Sequence, residues 1–147
     1  MSSSDIAFVF SPDLDFSLPD FADLGNEGQA GTGNVHVFDG ARASRALGLF
    51  QEGYPERNPN IIAPVAATQE DLAHGLCPKY LAALADPAIA PALIAEIIEV
   101  PAAAGASLEA LDQVLLTPMR LAAGGTLDAV RIVLDPKRDS PIAINLG

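Results

Sequence analysis

The chain has no tryptophan, one cysteine, two histidines, and only 8 Lys+Arg against 19 Asp+Glu. Each shortage excludes something. Cys77 alone forms no internal disulfide, and His36 and His74, distant from each other and from Cys77, make no metal-ligand spacing. This composition suits a reducing compartment. With a formal net charge of −11 and a pI near 4.3, no stretch gathers Lys and Arg into a basic face, so nucleic acid is not an expected partner. No apolar run approaches the roughly 20 residues of a membrane-spanning helix. Met1-Ser2-Ser3-Ser4-Asp5 lacks the basic start of a secretion signal. The expected location is cytoplasmic, without a membrane partner.

What is present is apolar: 50% of the residues are hydrophobic, enough for one domain with a real core. Asp5–Phe10 is a compact apolar run closed by Ser11-Pro12 and reads as a first strand. Residues 13–35 carry Asp13, Asp15, Asp20, Asp23 and Glu27, then Gly25, Gly28, Gly31 and Gly33, and read as a long acidic, glycine-rich surface loop. Their order matches neither an EF-hand loop nor a dinucleotide fingerprint. Asp39 is placed to cap a helix bearing Ala43, Ala46, Leu47 and Phe50 on one face, with Gly53 past its end and Arg42 and Arg45 off the stripe. Asn60–Val65 reads as a short strand whose Pro64 suits an edge or an end.

Further along, Thr68-Gln69-Glu70-Asp71 resembles a capping box for a helix that Gly75 ends. Lys79–Ala85 is helical, Leu93–Val100 fits a helix or a strand, and Pro101–Gly105 is a loop. Ser107 opens a helix that stops at Thr117-Pro118. There Thr117 caps a long amphipathic helix, Pro118–Leu134, with an apolar seam of Leu116, Met119, Ala123, Leu127, Val130 and Leu134, stopped by Asp135-Pro136. Within it Gly124 and Gly125 cost on the order of 1 kcal/mol each against alanine, so a close backbone contact is the expected compensation. After the turn Lys137–Pro141, Ile142–Leu146 reads as a strand buried on both faces of a parallel sheet.

Taken in order, these segments resemble the amino-terminal half of the arginase/deacetylase superfamily, closest to the class IV (bacterial) histone deacetylase-like proteins. The residues that carry the resemblance are Phe10-Ser11-Pro12, His36-Val37-Phe38-Asp39-Gly40, Glu70-Asp71-Leu72 with Tyr80-Leu81, Leu116-Thr117-Pro118-Met119-Arg120, Gly124-Gly125-Thr126, and Ala143-Ile144-Asn145-Leu146-Gly147. Two departures stand out. Val37 occupies a position where the family carries proline, and Leu76 one where it carries histidine.

The resemblance implies an α/β fold, a three-layer parallel sheet with flanking helices, of which residues 1–147 supply only the amino-terminal half as a truncated domain. It also implies zinc-dependent hydrolysis of acylated lysine. In the family that chemistry needs an Asp/His/Asp metal set, a tandem histidine pair and usually a tyrosine, and there the strand matching Ile142–Leu146 runs into a Gly-Gly-Phe-His-His type loop, of which this sequence holds the first glycine, Gly147. Those positions do not fall in this chain, so it is expected to have no catalytic or metal residue of its own and to be inactive alone. Zinc and the acyl-lysine substrate belong to the full-length family. Arg42 matches a basic residue near the family's internal channel. His36, Asp39, Gly124, Gly125, Asn145 and Gly147 are the family-motif positions. Self-association or pairing with a complementary carboxyl-terminal fragment is the expected partnership, and a stand-alone interaction module built on the half-fold is the rival reading.

Overall fold

The computed structural model describes residues 6–15, 41–137 and 142–147. They fall into two compact units.

The first unit is mixed α/β. Ile6–Val9 forms β1, Arg42–Gly53 forms α1, Asn60–Ile62 forms β2, Thr117–Leu134 forms α6 and Ile142–Asn145 forms β3. The strands make a three-stranded parallel sheet in the order β2-β1-β3, with Phe8 opposite both Ile61 and Ile144. Alternation along β1 decides which helix covers which face. Ala7 and Val9 point to one side and form a buried cluster with Ile132 of α6, joined by Ile62, Ala129 and Ala143. Phe8 points to the other side, where its ring lies 4.6 Å from that of Phe50 on α1 at 57°. Helices therefore lie on opposite faces, giving a helix, sheet, helix sandwich. The step from β1 to β2 and the step back across β1 to β3 reverse both direction and face, so the two connections share one hand, as the rule for parallel crossovers requires.

The sheet is closed unevenly. Ile142 and Ile144, on the Phe8 face, are 41% and 39% exposed, and among the described residues no strand pairs with the outer edge of β3. The reading of this strand as buried on both faces is thereby corrected: only its Ala143 and Asn145 side is covered, by α6.

The described part of the second unit, Gln69–Leu116, is helical. Gln69–Ala73 is α2, Pro78–Ala85 α3, Ala90–Ile97 α4 and Leu108–Leu111 α5, with a 3₁₀ turn over Pro101–Gly105. The segment that fitted helix or strand is thus a helix, begun earlier at Ala90 with Pro91 in its first turn, where a missing N–H costs nothing. Ser107 caps α5 as expected, its Oγ accepting from the Ala110 N–H at 3.2 Å.

Glu99 ends α4 with φ 58°. It occupies the left-handed position that glycine usually takes after a helix, and the Val100 N–H reaches back to the Ala95 carbonyl at 3.1 Å, the long bond of a Schellman turn. A side chain there costs about 1 kcal/mol. Glu99→Gly is therefore expected to raise the urea midpoint, with a gain of about 0.5–1 kcal/mol; an unchanged or lowered midpoint counts against this account of the turn.

Two expectations about α6 are overturned. Thr117 does not cap it, because α5 runs through a π turn over Asp112–Leu116 into α6 without a non-helical residue between. Pro118 lacks an N–H and its ring presses on the carbonyl four residues back; a widened turn just before it accommodates both defects. The buried stripe is also not the expected one. Met119, Val130 and Leu134 are 49%, 51% and 73% exposed, whereas Pro118, Gly124, Gly125 and Ile132 are buried. The helix lays Ile132 and Ala129 on the sheet, and its two glycines against the segment after β2 and against Asn145.

Candidate functional site

In open α/β sheets the place to look is outside the carboxyl ends of the strands, where the strand order reverses. Here that place is the end of β1 beside the end of β3, and it gathers four of the family-motif positions, Gly124, Gly125, Asn145 and Gly147.

The two glycines seat two different segments. At Gly124 a Cβ would stand 1.8 Å from the Val65 carbonyl oxygen and 2.7 Å from the Ala67 nitrogen. The chain leaving β2 is held there from both sides: the Ala67 N–H donates to the Arg120 carbonyl at 2.9 Å, and the Val65 N–H to Asp128 Oδ2 at 2.9 Å. Arg120, Gly124 and Asp128 are four apart and so lie in one row along the helix. Asp128 is fixed in turn by Arg131 Nη1 at 3.0 Å. At Gly125 a Cβ would stand 2.6 Å from Asn145 Oδ1. The expected close backbone contact is found at Gly124, whereas at Gly125 the close neighbour is the Asn145 side chain.

Asn145 spends all its hydrogen-bonding groups on this joint. Its Nδ2 donates to the Ala122 carbonyl at 2.9 Å and to Thr126 Oγ1 at 3.0 Å, while its Oδ1 accepts from the Gly147 N–H at 3.2 Å. Thr126 Oγ1 donates onward to the Ala122 carbonyl at 3.2 Å. Gly147 is itself closely packed, since a Cβ there would meet Leu14 Cδ2 at 2.8 Å and Ala122 at 3.0 Å. The Leu146 N–H closes the gap to β1 by donating to the Val9 carbonyl at 3.2 Å.

Replacing the Asn145 amide therefore has a pH signature. In Asn145→Asp the oxygen that replaces Nδ2 faces the Ala122 carbonyl, so ionisation is disfavoured in the folded state and the folded pKa lies above the unfolded value near 3.9. The deficit against wild type is expected to be complete above that folded pKa, at about 2 kcal/mol, and to fade as pH falls toward the unfolded value. Urea melts of both proteins from pH 7 to pH 4 check this; a deficit independent of pH contradicts the assigned orientation.

At the end of β1, a 3₁₀ turn over Pro12–Leu14 buries Leu14 and brings Asp15 to the start of α1. Asp15 Oδ1 accepts from the Ser44 N–H at 3.3 Å, and its Oδ2 accepts from the Ser44 hydroxyl. The N-cap position is Ala41, which has no side-chain acceptor, so Asp15 caps the helix from a distant part of the chain. Of residues 13–35, read as a surface loop, Asp13 is exposed and Leu14 is buried in this turn, and residues 16–35 lie outside the described residues. Asp39, expected as the cap, and His36 lie outside the described residues. Arg42 is exposed in the first turn of α1, and His74 and Cys77 are exposed in the helical unit.

The polar side chains of this joint anchor backbone segments to one another. Asn145, Thr126 and Asp128 are engaged in binding backbone or a neighbouring side chain. Among the described residues no three His, Cys, Asp or Glu side chains come together as a metal site. No single described helix is long and apolar enough to cross a membrane. Sequence reasoning found both glycines, Thr126 and Asn145 but missed the roles of Asp15 and Asp128. For Asp128 a signal existed, its position four residues beyond Gly124. For Asp15, twenty-nine residues from Ser44, there was none.

Compared with known proteins, the chain matches no family model, no curated protein and no solved structure.

Proposed function

We propose that residues 1–147 are the amino-terminal part of the scaffold of a zinc-dependent acyl-lysine deacetylase-like hydrolase, in which they support the catalytic loops without supplying them. The observation that supports this reading is the convergence of Gly124, Gly125, Asn145 and Gly147, four positions of the resemblance, beside the strand-order reversal of a parallel sheet. On this reading Asn145 and Gly125 fix where the chain leaves β3, and hence where a following loop bearing a histidine pair and metal ligands would stand, while Gly124 seats the segment after β2. Acyl-lysine is the substrate class and zinc the cofactor of the longer protein.

Metal analysis and a deacylation assay test this. The chain 1–147 is expected to hold no stoichiometric zinc and to leave acetyl-lysine peptides intact. A longer product of the same gene is expected to hydrolyse them until a chelator is added. A longer product that lacks a histidine pair after β3, or chelator-sensitive turnover by residues 1–147 alone, overturns the proposal.

The rival, a non-catalytic interaction module, has one observation in its favour: the half-exposed Ile142 and Ile144 beside the outer edge of β3, a template for strand addition. A longer gene product with no deacylase activity, together with self-association of the chain in sedimentation, favours that reading.

A further inference from the structure

We draw no further inference here: the strongest candidate, the half-exposed sheet face of Ile61, Ile142 and Ile144 beside the outer edge of β3, carries nothing, because nothing in the structure shows what covers it.

Discussion

Gly124→Ala is expected to lower stability by about 3 kcal/mol, although alanine is the better helix former by about 1 kcal/mol. The sign is decided by what the new methyl meets. Its carbon would lie 1.8 Å from the Val65 carbonyl oxygen, where a carbon and an oxygen settle at about 3.3 Å or more. The obstruction is backbone, so no rotamer change relieves it. Either the segment Val65–Ala67 or the helix must retreat by more than about 1 Å, a strain of roughly 1–3 kcal/mol. The retreat stretches the Ala67 bond to Arg120 and the Val65 bond to Asp128, both now 2.9 Å. The first contributes about 1 kcal/mol and the second, to a carboxylate, about 1.5–3 kcal/mol. These losses outweigh the propensity gain. Gly48 in α1 is the matched control, because nothing lies within 4 Å of its Cβ position, and Gly48→Ala is expected to stabilise by about 0.5–1 kcal/mol. Urea unfolding of the two variants should move in opposite directions. A Gly124→Ala midpoint at or above wild type would mean that the segment after β2 does not rest on this glycine.

The same joint shows what the sequence could and could not disclose. Strand positions were legible because Ile6–Val9, Asn60–Ile62 and Ile142–Asn145 are short apolar runs bounded by proline or polar turns. The parallel sheet was read from the unbroken apolar run Ile142–Leu146, and the flanking helices from the resemblance. The glycine pair was legible as a cost that had to be compensated. The face of α6 was not. Counting large apolar residues selects Met119, Val130 and Leu134, yet α6 meets Ala7, Val9, Ile62 and Ala143 of the sheet with Ala129 and Ile132, and Gly124 lets its backbone approach the segment after β2. Glycine and alanine carry little weight in a hydrophobicity pattern, although they are what close packing selects. The continuous passage through Thr117-Pro118 was hidden for a related reason. Threonine followed by proline is a strong start signal, and whether a π turn forms before it depends on packing that local sequence does not encode. The cap supplied by Asp15 joins residues from two separate stretches, so no window could contain it.

Leu111→Ala is expected to cost about 2–5 kcal/mol in the helical unit. Leu111 is completely inaccessible, and the only other large aliphatic side chains buried in the described residues of this unit are Leu81, Ile94 and Leu115. The remainder of its core is small: Ala90, Ala95, Ala103 and Ala106. A core dominated by alanine has few atoms that can move in to fill a lost isobutyl group, so the cavity term adds in full to the transfer term. The short α5 does not compensate by local helix formation, since most helical stability comes from tertiary packing. Its cap at Ser107 contributes about 1 kcal/mol, less than the loss. The sheet unit has its own buried cluster of Ala7, Val9 and Ile132, which this substitution does not touch. Amide exchange should therefore accelerate across Leu81–Leu115, where local opening becomes cheaper, while the amides of β1 and β3 keep their protection. Equal loss of protection in both units would show that they open as a single cooperative body. Unchanged protection at Leu81 and Ile94 would remove Leu111 from the core assigned to it.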